Sequence, residues 1–281
     1  MLAHVDQHLA NEIRVYAKRN QTPLTLRQLF KFGEQDTPEM RVRAAQFLHH
    51  EVPIRLALMA GDLDSLPEGL SDMPSAQRIQ HLYIQSFKDI VEFPHPQTIE
   101  DEEEFTQLLD RIKNRHARVV PTMAHAIREL RDRNKIDDVS EELQAFLDRF
   151  FMSRIGIRML IGQHIALHTP RPHYVGIICD ETSPSDIARA AGYRAELICE
   201  RTYGIAPDLE IVGKTDLLFT YIPTHLDHML FEVIKNSFRA TVESHGAETE
   251  DIPPVKIVIA DGVHDITIKI EDEGGGIPRA N

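Results

Sequence analysis

The chain has 281 residues, a formal net charge of −13, 42% hydrophobic and 27% charged residues, and two cysteines. Two ordinary domains fit that length, and the acidic balance argues against a nucleic-acid binder, which would carry a basic face. No apolar run approaches the ~20 residues that span a bilayer, so no membrane insertion is expected.

Cys179 and Cys199 form no CxxC, and a reduced intracellular protein without a disulfide framework or structural metal is expected. Residues Met1 to Asp6 resemble neither a secretory signal nor an acid-poor transit peptide.

The first part of the chain reads as helical. A short helix is expected over Leu24 to Phe32, and Asp36-Thr37-Pro38-Glu39 is a helix start with proline just inside. The helix it opens runs to about Ala60, with a kink at Pro53. A turn-rich linker, Gly61 to Pro74, then leads to a helix from Ser75 to Glu92, ended by Pro94 and Pro96. Two long helices follow, Glu102 to Asn134 and Ser140 to Leu167. In the second, Leu143, Phe146, Leu147, Phe150 and Ile157 recur at helical spacing. Long helices with short connections predict an all-α bundle of four main helices over residues 1–170.

Beyond Pro170 the pattern changes. A helix is expected from Ser183 to Tyr203, then strands Leu209 to Val212 and Leu217 to Tyr221, then a helix from Thr224 to His245. Val255, Ile257 and Ile259 alternate, Asp261-Gly262 supplies a turn, and Ile266, Ile268 and Ile270 alternate again, which reads as a hairpin. Residues 171–281 are therefore expected to form an α+β sandwich with helices on one face of a sheet.

His228, Glu232, Asn236 and Arg239 stand at i, i+4, i+8 and i+11 and fall within an ~80° arc of one helix face. Leu226, Met229, Leu230, Val233 and Ile234 are left for the buried side. Taken alone, such a stripe reads as a polar face with an ordinary ion pair. After the last strand stands Asp272-Glu-Gly274-Gly275-Gly276. Its glycines allow close backbone approach and positive φ, and free amides suit phosphate or base. That string alone is a loop as often as a nucleotide site.

Together, the stripe and the glycine run, roughly 40 residues apart, resemble the N-box and first glycine box of the Bergerat-type ATP-binding fold. Gyrase, the Hsp90 chaperones, histidine kinases and MutL share that fold. The resemblance implies that Asn236 holds Mg2+ bridging the ATP phosphates, that Asp272 reads adenine, and that Gly274 and Gly276 form the adenine loop. No GxxxxGK[ST], HRD or DFG occurs, so neither a P-loop enzyme nor an ordinary eukaryotic kinase fits.

His228-Met-Leu-Phe-Glu232-Val-Ile-Lys-Asn236-Ser-Phe-Arg239, Asn114-Arg-His116-Ala-Arg-Val-Val-Pro-Thr-Met and Phe146-Leu-Asp-Arg-Phe-Phe-Met-Ser-Arg-Ile-Gly-Ile-Arg158 narrow the resemblance. They resemble the mitochondrial pyruvate dehydrogenase kinases and the related branched-chain α-ketoacid dehydrogenase kinase. The resemblance implies ATP-dependent serine phosphorylation of a dehydrogenase E1 α subunit, which inactivates the complex, in the mitochondrial matrix. Glu232 would be the general base, His228 would tune it through a hydrogen bond, and Lys235 and Arg239 would assist near the phosphates. It also implies a keto-acid pocket in the bundle at Tyr83, Ser86, Ile112, Lys113, His116, Ile157, Arg158 and Ile161, docking of an E2 lipoyl domain, and a homodimer.

The Arg115-His116 segment and His228-Met-Leu-Phe-Glu232 favour the pyruvate complex. Phe47-Leu-His-His-Glu51, Leu82-Tyr-Ile84 and Val175-Gly-Ile-Ile-Cys179 lean towards the branched-chain enzyme, and Lys113 replaces an arginine usual in the pyruvate-regulated kinases. A histidine kinase is the rival enzyme, but Pro53 follows His50-Glu51 too closely for its phosphoacceptor motif. The other rival is a binding or regulatory module: relatives continue with an ATP lid and a second glycine box, whereas this sequence reaches Asn281 soon after Gly276. On that reading the 281-residue chain binds ATP weakly, has little kinase activity and leaves a sheet edge uncovered.

Overall fold

Side-chain caps start most of the helices in the first half of the protein. The computed structural model describes residues 6–35, 37–134, 140–246 and 251–277. Thr25, Thr37, Thr98 and Ser140 each accept a hydrogen bond from the backbone amide three residues on, a cap that contributes about 1 kcal/mol. They open α2 (Leu26–Gly33), α3 (Pro38–Asp64), α5 (Ile99–Arg115) and α7 (Glu141–Leu167). The remaining helices of this half are α1 (Gln7–Tyr16), α4 (Pro74–Val91) and α6 (Val119–Asn134).

By their contacts the residues divide into two units, Met1–Pro170 and Arg171–Asn281. In the first, α3 packs on α1, α4, α5 and α7, and α4 also meets α6. Leu56, Met59, Ile79, Phe87, Phe105 and Phe150 lie in its core.

Three expectations for this unit need correction. The helix expected over Glu102 to Asn134 is two helices, separated at His116–Arg118. Pro121 has no N–H to donate, and it stands in the first turn of α6, where that donor would be unpaired in any case. The expected linker from Gly61 is largely ordered: α3 continues to Asp64 and a 3₁₀ turn spans Pro67–Asp72. Burial of Leu63, Leu66 and Leu70 overrides the local glycine and proline signals. Helix α1 was not anticipated, although Ala10 and Ile13 bury one face of it. Helix α3 runs unbroken through Pro53.

The second unit is mixed α/β. β1 (Tyr174–Val175), β2 (Ile178–Thr182) and β4 (Phe219–Tyr221) form one antiparallel sheet in the order β1-β2-β4. β3 (Leu209–Gly213), β5 (Val255–Asp261) and β6 (Ile266–Glu271) form another in the order β3-β5-β6. The hairpin β5–β6 pairs Ile257 with Ile270 and Ile259 with Ile268, but Asp261, expected in the turn, ends β5 opposite Ile266, so the loop spans 262–265. β3 and β5, however, are parallel, because α9 (Pro223–His245) returns the chain between them. The strands β1 and β2 were also not anticipated; they are too short to show a period.

Helix α8 (Pro184–Tyr203) packs along α9, and both lie against the β3-β5-β6 sheet. Val255, Ile257 and Ile259 point from β5 into the core they share, beside Ala188, Ala191 and Ala195 of α8 and Ile234 and Phe238 of α9. The small α8 residues let the two helices approach closely. Among the described residues no helix is long and apolar enough to cross a membrane.

Phe105 is 0% exposed, and its ring stands 5.3 Å from Phe93 and 5.7 Å from His49. Phe105→Ala should destabilise the protein by about 3–5 kcal/mol in urea unfolding followed by circular dichroism. Phe32, 40% exposed, should cost under about 1 kcal/mol on the same change.

Candidate functional site

Helix α9 is amphipathic in a way that fixes its polar face. Leu226, Leu230, Ile234, Phe238 and Val242 are buried. Met229 and Val233, expected on that side, are each 46% exposed. At seven and three residues before Asn236, they share its side of the helix. His228, Asn236 and Arg239 are exposed and Glu232 is half-buried, so the polar stripe faces outward as the spacing requires.

The contacts within the stripe differ from those expected. Glu232 Oε2 accepts a hydrogen bond from Lys235 Nζ at 2.6 Å; the partner from one turn earlier, His228, is not the donor. Arg239 Nε donates to Glu243 Oε1 at 2.9 Å, and the Tyr203 hydroxyl donates to the same oxygen at 2.7 Å. Lys235, Asn236 and Arg239 line a cleft of about 260 Å³ whose other wall is α8, with Cys199 and Tyr203. Its two cationic side chains are thus each held by a carboxylate, while the Asn236 carboxamide lies between them.

The glycine loop closes on the same helix. A Cβ on Gly274 would stand 2.4 Å from Ala240 Cβ and 2.8 Å from the Ala240 carbonyl carbon, so only glycine fits there. The Gly274 amide donates to Asp272 Oδ1 at 3.0 Å, which folds the loop back on itself. Gly275 and Gly276 have φ of 83° and 74°. Ala240 lies one turn beyond Asn236, so Asn236, Ala240 and the loop share one side of α9.

The helical unit holds a second cluster. Tyr83, Ile112, Lys113, His116, Ile157, Arg158 and Ile161 line one small pocket, together with Arg154. Ser86, expected among them, stands behind the pocket, with its hydroxyl 2.9 Å from His116 Nε2 and accepting from Arg115 at 2.9 Å. Arg154 was missed, although it lies one turn before Arg158 on α7. Both arginines donate to carbonyls at the broken end of α5: Arg154 to His116 O at 3.1 Å and Arg158 to Lys113 O at 3.3 Å. The negative end of α5 therefore offsets part of their charge.

Arg154 is 7% exposed, and its second terminal nitrogen, Nη1, is buried without a partner. A buried donor left unsatisfied costs about 1–3 kcal/mol, so the pocket is primed for an anion. Burial pushes the His116 pKa down to about 4, helped by Arg154, Arg115 and Arg158. The same burial pushes the Tyr83 hydroxyl up, against the pull of the two arginines. The free space is about 10 Å³, enough for roughly one water, so a larger ligand needs the arginines to move.

A third feature is mainly apolar. Leu24, Leu29, Phe32, Phe47, Leu160 and Leu167 line an apolar cleft of about 230 Å³ between α2, α3 and α7. Its residues come from three separate segments, so no local pattern in the sequence revealed it.

A family model described as mitochondrial branched-chain alpha-ketoacid dehydrogenase kinase matches residues 23–179. The mitochondrial [pyruvate dehydrogenase (acetyl-transferring)] kinase of Arabidopsis thaliana is 43% identical over 274 residues, covering 97% of this chain and 75% of its own length. Isozyme 4 of the same kinase from Mus musculus is 39% identical over 281 residues, covering 95% of this chain and 67% of its own. The Schizosaccharomyces pombe kinase is 34% identical over 340 residues, covering 97% and 80%. The chain belongs to the family of mitochondrial pyruvate dehydrogenase and branched-chain α-ketoacid dehydrogenase kinases.

Gly274→Ala should destabilise the second unit by about 1–3 kcal/mol, because backbone must shift to admit the methyl group. Removing the opposing methyl with Ala240→Gly should recover part of that loss in a double-mutant cycle. A separate expectation concerns acid. Between His116's ordinary pKa of 6.5 and its folded value of about 4, the unfolded chain takes up a proton that the folded chain refuses. Stability attributable to this group is therefore full above pH 6.5, falls as pH falls, and levels off below about 4, by at most about 3 kcal/mol. Urea unfolding should show the parent losing stability more steeply than His116→Gln across that window.

Proposed function

We propose that the protein is an ATP-dependent protein-serine kinase that phosphorylates and inactivates the E1 α subunit of an α-keto acid dehydrogenase complex in the mitochondrial matrix, that of pyruvate dehydrogenase in the first place. The observation that carries this reading is the seat of Gly274 on Ala240, one turn past Asn236. It puts the glycine loop and the polar stripe on one side of α9, as a Bergerat-type nucleotide site requires. The relatives named as pyruvate dehydrogenase kinases supply the substrate class.

On this reading residues 171–281 form the ATP-binding unit. Asp272 keeps one carboxylate oxygen for its own loop amide and offers the other to the adenine amino group, while Gly274 and Gly276 give the base a flat backbone wall. The Asn236 carboxamide oxygen suits a hard cation that takes few protein ligands, so its environment fits Mg2+. Mg2+ bound with ATP would neutralise charge on the transferred phosphoryl group.

Glu232 accepts the proton of the substrate serine hydroxyl as the nucleophile attacks. Lys235 holds that carboxylate in place at 2.6 Å, and His228 sits one turn earlier beside the incoming peptide. Lys235 and Arg239 bring positive charge to the cleft wall.

Residues 1–170 would be the regulatory unit. The pocket at Tyr83, His116, Arg154 and Arg158 takes a small keto acid as an inhibitor, its carboxylate satisfying the orphaned Arg154 nitrogen. The apolar cleft at Leu24, Phe32 and Phe47 receives the aliphatic arm of an E2 lipoyl domain. The branched-chain complex is the second reading, favoured by Lys113 in the pocket and by the description of the family model.

The test is phosphate transfer from radiolabelled ATP to purified E1 α subunits of both complexes. Glu232→Gln should lower the rate by at least about 100-fold with ATP binding kept, and Asn236→Ala should weaken Mg-ATP binding itself. A Glu232→Gln rate equal to the parent's would sink the assignment of the base, and preference for the branched-chain subunit would reverse the order of the two complexes. In the same assay an added keto acid should inhibit the parent but not Arg154→Met, and Phe32→Ala should lose lipoyl-domain binding while remaining folded.

A further inference from the structure

Helices α5 and α7 bring three metal-ligating side chains together away from the nucleotide cleft and the keto-acid pocket: Glu102, His164 and His168. The Glu102 side chain is 1% exposed, that of His164 3% and that of His168 22%. Glu102 Oε1 lies 3.1 Å from His164 Nε2 and 3.0 Å from His168 Nε2. Ligand atoms held tetrahedrally at zinc bond lengths stand about 3.3 Å apart, so a cation could enter with small movements. The pair His164 and His168, one turn apart on one helix, is the signal that the expectation of no structural metal passed over.

Two details suit this cluster to a metal ion. His168 Nδ1 lies 3.1 Å from the His164 carbonyl, which can only accept, so that nitrogen carries a proton. A backbone carbonyl in this position is the usual orienting partner of a metal-bound imidazole. The nitrogen left to face Glu102 is Nε2, 3.0 Å from Oε1, and this contact holds a proton in the metal-free protein that a metal ion would replace. The second detail is His164, whose Nδ1 is buried without a partner. At its Nε2 stands the rotatable hydroxyl of Thr106, 2.8 Å away, itself a donor to Glu102. Because that hydroxyl donates to Glu102, it accepts from His164 Nε2–H in the metal-free protein, and metal binding would shift this proton to the unpartnered Nδ1.

Access is also present. His164 and His168 line a small crevice with Phe32, Met40, Arg41 and Leu167, which leads from the cluster towards solvent. Arg41 works against a cation there. Its charge is opposed by Glu102, whose carboxyl, despite burial, is held far below the usual carboxylate range by His164 and His168.

We propose that Glu102, His164 and His168 form a transition-metal site of the Zn2+ class that clips α5 to α7, with a fourth position left to water. Two imidazoles and a carboxylate suit zinc over magnesium or calcium, which prefer oxygen donors. None of its ligands belongs to the nucleotide cleft or the keto-acid pocket, although His164 also lines the apolar cleft.

The experiment uses the purified chain, stripped with a chelator and titrated with Co2+ as a spectroscopic probe. A single saturable site with the intense visible absorption of four-coordinate Co2+, competed away by Zn2+, is expected. His168→Gln should weaken binding by at least about tenfold, since even partners one shell out cost that much. The surface variant His173→Gln, beside Asp180 and Glu181, should bind as the parent does. Absence of saturable binding, or equal binding by His168→Gln, overturns the proposal. Zinc-edge X-ray absorption on the unmutated, zinc-loaded chain needs no variant: imidazole scattering from two ligands supports the site, and an all-oxygen shell refutes it.

Discussion

The burial of Leu226, Leu230, Ile234 and Phe238 between α8 and the β3-β5-β6 sheet is the constraint on which the second unit depends. A helix so anchored has no rotational freedom, and its opposite face must present His228, Glu232, Asn236 and Arg239 together. At roughly 1.5–3 kcal/mol for each buried large apolar side chain, this orientation outweighs any single polar contact on the exposed face. The ion pairs Lys235–Glu232 and Arg239–Glu243 lie on partly or fully exposed side chains. They set side-chain directions and add little to stability. Small residues refine the arrangement: the alanines of α8 allow close helix approach, and Gly274 allows the loop to touch α9.

In the helical unit the corresponding constraint is the interruption after α5. Helix α5 ends at Arg115, Pro121 stands in the first turn of α6, and carbonyls at the end of α5 turn inward to the arginines of α7. Arg154 and Arg158 then find acceptors in a buried place where no carboxylate lines the pocket. The same turn buries His116 against the Tyr83 ring, 4.6 Å between centroids, which keeps the imidazole neutral. Positive charge, a neutral histidine and an orphaned donor in one small space follow from a single helix break.

Both units separate a scaffold from the groups it displays. Large apolar residues determine which way each helix faces, and polar groups are functional candidates where the scaffold leaves them incompletely satisfied. Arg154 Nη1 is such a case, and so is the exposed Asn236 carboxamide. Glu51 is 0% exposed, with Oε1 bound by Arg55 and by the Thr22 amide and Oε2 left without a partner. That pairing makes it a tie between α3 and the segment before α2, and it gives the neighbouring His50 no catalytic setting.

The sequence by itself determined the helices with clear caps, the existence of the β5–β6 hairpin, and the composition of the α9 stripe, because these depend on residues close together in the chain. Most of the small pocket's residues came from the family resemblance and not from any local pattern. Only the tertiary structure decided the parallel pairing of β3 with β5, the exposure of Met229 and Val233, and the order within the expected linker, since each depends on what packs from elsewhere. Arg154 and the apolar cleft belong to the same class: their meaning lies in atoms contributed by other helices. The glycine in Gly274 was legible from the start, but its reason was not. The sequence suggested freedom to approach a ligand, whereas the folded chain shows that the missing Cβ first makes room for Ala240.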